Sequence, residues 1–118
     1  MSQYKTIEVR EEGDTLVVNV VGYLNSLLGE EVEKVVRTRL DNGGRRILLN
    51  FQGTRMVNSI GISFVIGVVE KVMEWEGRMA FCEVSRINRD LFRVTGLEKY
   101  VRSFETEKEA LDYLSGNA

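Results

Sequence analysis

The sequence predicts an α/β domain with a mixed, mostly parallel sheet of about five strands and about four helices. Three observations predict it. Short β-branched runs alternate with stretches of helical periodicity, turn chemistry joins the first two strand-like runs, and each later run is followed by a helix. A chain of 118 residues is the size of one ordinary domain, so residues 1–118 are read as a single unit. The absence of proline, of low-complexity tracts and of a repeat with fixed period agrees with that reading.

Residues 4–10 alternate polar with apolar and residues 15–21 are dense in valine, with Glu12-Gly13-Asp14 between them as a turn, which predicts a hairpin. Leu28, Val32, Val35, Val36 and Leu40 recur at helical spacing. Asn25 or Ser26 can cap that helix, and Asn42-Gly43-Gly44 stops it. Residues 46–51 form a short apolar run bounded by Gly44 and Gly53, typical of a central strand buried on both faces. From residue 59 to about 75 the pattern is helical and apolar around most of its circumference, so this helix is expected to be largely covered, with Asn58 or Ser59 as its cap. Residues 78–84 read as a further strand. Ile87, Leu91 and Val94 then share one face of a helix capped by Ser85 and closed by Gly96. Residues 101–104 read as an edge strand. Thr106 and Glu109 form a capping box, and Ala110, Leu111 and Leu114 give the last helix its inner face.

Composition narrows the function. Hydrophobic residues at 43% and charged residues at 29% suit a folded globular domain rather than a disordered chain. Sixteen basic residues against eighteen acidic ones leave a formal charge of −2, so there is no bulk positive field for a nucleic-acid backbone. One cysteine, Cys82, excludes an internal disulfide. The absence of histidine removes the commonest general base together with the commonest metal ligand, and no cofactor or metal is expected. The longest apolar-rich stretch, residues 60–73, is interrupted by Ser63 and Glu70 and falls short of the ~20 residues of a membrane span. Residues 1–12 lack the apolar core of a signal peptide, so a cytoplasmic location is expected.

The stretch from Asn50 to Gly61, which joins the central strand to the apolar helix, places a hydroxyl at a helix mouth. One reading makes Asn58 and Ser59 caps and Gly61 a packing residue. The other sets Ser59 among free backbone amides that favour an anion, where a phosphate gains roughly 0.3–1 kcal/mol from the helix dipole, with Gly61 leaving room for close approach. Elsewhere the plain readings prevail. Cys82 is expected to be a buried structural thiol, and Asn42-Gly-Gly-Arg-Arg46 lacks the spacing and lysine of a phosphate loop. Trp75 packs at the end of its helix or, if exposed, anchors a partner, while Glu70-Lys71 and residues 105–109 are solvated faces. No activated nucleophile, metal cluster or Walker loop is present, so an enzyme is not expected.

On these residues the sequence resembles the bacterial anti-sigma factor antagonists, single-domain members of the STAS group. The resemblance runs through Gly22-Tyr-Leu-Asn25, residues 47–51, Asn58-Ser-Ile-Gly61, Thr95-Gly-Leu97 and the terminal helix. It implies a STAS-like fold, no enzymatic activity, and partner switching. An unphosphorylated protein binds an anti-sigma factor serine kinase and releases a sigma factor; phosphorylation by that kinase abolishes binding, and a phosphatase restores it. By register the phosphorylated residue is Ser59, and the partner-binding element comprises Asn25, Asn58, Ser59, Ile60 and Gly61. Asn25, Asn50 and Asn58 stand where the family commonly has aspartate, and Ile60 replaces a second serine. Each asparagine keeps hydrogen-bonding capacity while deleting a negative charge, which lowers repulsion of a phosphate at Ser59 and also removes any acidic recognition by a kinase, two effects of opposite sign. The same fold also suits a non-phosphorylated scaffold subunit of a signalling or transport-associated complex.

Overall fold

A computed structural model describes residues 7–116. Six residues of β1 (Ile7–Glu12) pair antiparallel with β2 (Thr15–Val20), as the turn at Gly13 requires. The predicted strand began at residue 4; residues 4–6 lie outside the described residues. From β2 the sheet continues in parallel through β4 (Arg46–Asn50), β6 (Arg78–Cys82) and β7 (Arg102–Phe104), giving the order β1-β2-β4-β6-β7. The expected mixed sheet of five strands is therefore present, with β4 at its centre and β7 at an edge. Ile47, Leu48 and Leu49 of β4 are all fully buried, which is why so short a run carries no polar alternation.

Strand pleating divides the core in two. Leu16, Val18 and Val20, with Ile47, Leu49, Met79 and Phe81, face α1 (Ser26–Asp41) and α2 (Ser59–Glu74). Val17, Leu48, Ala80 and Cys82 face α4 (Glu107–Leu114), which covers them with Ala110 and Leu114. The larger side is locked by Phe51, Phe81 and Phe92, three rings in edge-to-face contact with centroids 5.2 to 5.6 Å apart. On the smaller side, burial pushes the Cys82 thiol up to about 12, aided by the Glu107 and Glu83 carboxylates, so it stays protonated. The capping box on α4 forms as read, with Thr106 and Glu109 each serving the other's backbone N–H.

Three features depart from the sequence reading. First, α2 buries only one side, through Gly61, Ile62, Val65, Val68, Val69 and Val72, and leaves Ile60, Ser63 and Met73 in solvent. Second, α3 (Arg86–Val94) turns the predicted face outward. Ile87 is 82% exposed and Val94 84%, while Phe92 and Asn88 point into the core. Third, an additional two-stranded parallel sheet pairs β3 (Gly22–Leu24) with β5 (Thr54–Val57). The Thr54 hydroxyl donates to the Val20 carbonyl at 2.6 Å, and the Asn88 side chain reaches the Thr54 carbonyl at 3.5 Å. A buried asparagine on α3 thus answers to the backbone of β5.

The small sheet fixes where α2 begins. The Asn58 N–H donates to the Leu24 carbonyl at 3.1 Å, and a Cβ placed on Gly61 would stand 2.1 Å from that oxygen. Only glycine lets the first turn of α2 lie so close to β3. Gly67, in the same helix, has open space where a Cβ would go. At the opposite end of the sheet's chemistry, α4 is tied to the main sheet by Glu107, which accepts from the Arg10 guanidinium and from the Asn50 side-chain amide at 2.9 Å. Partial burial works against the charged carboxylate, but these hydrogen bonds and the Arg10 charge prevail and hold it below the usual carboxylate range.

Gly61→Ala is expected to destabilise the fold by about 2 kcal/mol or more, through overpacking against backbone. Gly67→Ala should stabilise it by up to ~1 kcal/mol through helix propensity. Urea unfolding of both variants checks the pair, and equal effects would contradict the Leu24 contact. Because its folded pKa is depressed, Glu107 contributes stability above the unfolded carboxylate value of about 4.3 and loses it as pH falls through the folded value. The stability gap between wild type and Glu107→Gln should therefore be present at neutral pH and close under acid, a trend that denaturant midpoints measured along a pH series will show.

Candidate functional site

Two similar units stand side by side. β3 leads through Asn25 into α1, and β5 leads through Asn58 into α2. Both asparagines have extended backbone, and both side chains accept a hydrogen bond from the third residue onward: Asn25 from the Leu28 N–H at 3.1 Å, Asn58 from the Gly61 N–H at 2.7 Å. Their neutral amides therefore serve as caps. Since Asn58 takes that role, the Ser59 hydroxyl is left over. Ser59 occupies the first position of α2 and is exposed, and its carbonyl accepts from the Ser63 hydroxyl at 3.1 Å.

Parallel pairing aligns the units, with Tyr23 opposite Met56 and Leu24 opposite Val57. The sequence carries an echo that marks this: Tyr23-Leu-Asn-Ser-Leu27 and Met56-Val-Asn-Ser-Ile60 share apolar pairs, an Asn-Ser step and a following apolar residue. The starts of α1 and α2 consequently open at the same end of the molecule. Both supply first-turn amides that lack an intrahelical acceptor and favour negative charge.

Around Ser59 the surface is apolar. Ile60 is 54% exposed and Leu27 71%, and Tyr23 and Met56 are exposed on the adjoining strands. Four large apolar side chains in solvent at one end of a small domain are the mark of a contact surface. Tyr23, Leu27 and Met56 are not singled out from sequence, because single exposed residues on strands of three or four residues and on first helical turns carry no periodic signal. Of the expected partner-binding residues, Ile60 and Ser59 face solvent, and Asn25 and Asn58 are half-buried caps. Gly61 departs from expectation. It is buried beneath the surface against Leu24, so it shapes the site without presenting a face to a partner.

Asn50 belongs to a different constellation. It is buried, donates to Glu107 and accepts the Gln52 N–H at 2.8 Å. An aspartate here would set one carboxylate against another at 2.9 Å, so its neutrality is explained by Glu107 rather than by position 59. Among the described residues, no helix is long and apolar enough to cross a membrane.

Comparison with known proteins agrees with this architecture. The family model described as STAS domain matches residues 6–110. BtrV of Bordetella bronchiseptica, which carries the name of an anti-sigma factor antagonist, is 26% identical over 81 residues, covering 69% of this chain and 70% of that protein. The anti-sigma factor antagonist SpoIIAA in its unphosphorylated form superimposes with a TM-score of 0.75 at 22% identity, over 93% of this chain and 98% of that one. The Bacillus cell fate determinant SpoIIAA in its phosphorylated form gives a TM-score of 0.74 at 24% identity, over 91% and 97%. At these identities the solved structures establish a shared fold. With the family model spanning most of its length, the chain belongs to the STAS domain family.

Proposed function

We propose that this chain acts as a single STAS domain and anti-sigma factor antagonist, and that it works by partner switching in the cytoplasm. In its unmodified form it docks an anti-sigma factor serine kinase and so frees a sigma factor. Phosphorylation of Ser59 by that kinase ends the complex, and a phosphatase resets it. The observation that carries this reading is the exposed Ser59 at the first position of α2, relieved of capping by Asn58, with Tyr23, Leu27, Met56 and Ile60 exposed on the adjoining strands and first helical turns. The names borne by BtrV and SpoIIAA, and the existence of a phosphorylated form of SpoIIAA, support it.

The physics of such a switch is local. A phosphate on Ser59 adds about −1.5 to −2 charges to a surface that carries exposed apolar side chains. Burying that charge in an interface without cationic partners costs several kcal/mol, and ~2.8 kcal/mol already lowers affinity a hundredfold. The α2 start tolerates the modification, since its first-turn amides favour an anion. Neutral Asn25 and Asn58 add no repulsion. The fold therefore survives while the docking surface changes character.

Incubation with an anti-sigma factor serine kinase and ATP, followed by mass spectrometry, should place phosphate on Ser59 and none on Ser59→Ala. Phosphate on another residue, or none, would count against the switch and leave the scaffold reading. Leu27→Asp and Met56→Asp each introduce a charge among the exposed apolar side chains and should weaken kinase binding tenfold or more, about 1.4 kcal/mol. Unchanged affinity in both would remove the docking face from this end of the molecule.

A further inference from the structure

Two surfaces remain that the Ser59 site does not use. The first is the outward side of α3. At 100° per residue, Ile87 and Val94 form one exposed flank and Arg86, Arg89 and Arg93 the other, while Asn88 and Phe92 are buried and Leu91 is partly buried against the core. Asp90 lies between the flanks and pairs with Arg93. The side is thus apolar and basic, three arginines against one aspartate, and it contains the two most exposed large apolar residues among the described ones, Ile87 and Val94.

The second is a groove of about 420 Å³ between the C-terminal half of α2 and the turn after α3. Ile66, Val69 and Met73 line it from α2, Leu97 and Tyr100 from the turn. Glu70 and Glu74 stand on its rim, one helical turn apart, and neither joins an ion pair among the described residues. The groove is therefore apolar and acidic.

We infer that a second copy of this chain covers both surfaces, the basic apolar side of α3 from each protomer seating in the acidic apolar groove of the other. Three observations carry this. The charges are opposite, Arg86, Arg89 and Arg93 on the stripe against Glu70 and Glu74 on the groove. The lengths match, since nine residues of α3 span about 13 Å and the groove from Ile66 to Met73 runs about 10 Å along α2. The two surfaces also adjoin, because Val94 is followed directly by Thr95, which lines the groove. Because each protomer carries both surfaces side by side, one two-fold axis can satisfy both contacts at once, and the inferred assembly is a dimer. The contact is independent of the switch: Glu70 lies eleven residues beyond Ser59 on α2, about 16 Å along the helix axis, which is farther than the ~8 Å over which salt leaves a surface charge felt.

Sedimentation velocity of the full chain over a concentration series tests this. The expected result is a monomer–dimer equilibrium whose dissociation constant rises about tenfold as sodium chloride is raised from roughly 50 to 500 mM. Glu70→Lys/Glu74→Lys and Arg86→Glu/Arg93→Glu should each be monomeric. An equimolar mixture of these two double variants should associate, since each stripe then meets a groove of opposite charge, and that rescue shows both variants to be folded. Ser59→Asp should associate as the wild type does, which separates this contact from the Ser59 switch. A wild type that stays monomeric up to about 0.5 mM, a dimer indifferent to either charge reversal, or a mixture that fails to associate overturns the proposal.

Discussion

The approach of α2 to the Leu24 carbonyl governs the site. One backbone oxygen accepts the Asn58 N–H and lies where a side chain at position 61 would have to stand. A glycine at the third helical position is therefore a steric requirement, and it sets the start of α2 beside the start of α1. Everything proposed for Ser59 follows from this placement. If α2 began a turn later, Asn58 would lose its capping bond and Ser59 would no longer stand at the first position of the helix.

The energetic design separates holding from switching. Holding is the work of the two-sided core: the aromatic trio and the paired helices on one side of the sheet, and α4 with its capping box on the other. Switching is left to groups that the core does not need. Ser59 is exposed and caps nothing, and Tyr23, Leu27, Met56 and Ile60 are exposed as well. A modification there changes what the surface can bind without touching what keeps the chain folded. The Arg10–Glu107–Asn50 bonds show the same economy at another edge, where the neutral amide satisfies a carboxylate that a second acid would have repelled.

Much of this architecture is legible in the sequence because local chemistry and tertiary structure agree. The β4 run, the Thr106–Glu109 capping box and the buried Cys82 each have one physical solution, and the structure adopts it; for the two helix caps the sequence leaves Asn25 or Ser26 and Asn58 or Ser59, and the structure takes the asparagine in both. The failures have equally physical causes. β3 and β5 are too short for periodicity to register, and their pairing depends on backbone groups of distant residues such as Leu24 and Val20. The α3 helix carries two stripes, and periodicity alone favours Ile87-Leu91-Val94; what reverses the choice is Phe92 joining the other rings and Asn88 finding the Thr54 carbonyl. The exposed edge of α2 was missed for a related reason, since apolarity around a helix does not say that a neighbour is present to cover it.

The most direct measurement is calorimetric. Protein phosphorylated stoichiometrically on Ser59 and unmodified protein are titrated in parallel into the anti-sigma factor kinase, with circular dichroism of both forms. The account predicts native-like spectra for both and an affinity at least about a hundredfold lower for the phosphorylated form, ~2.8 kcal/mol. Equal affinities, or a phosphorylated chain that has lost its fold, would contradict it.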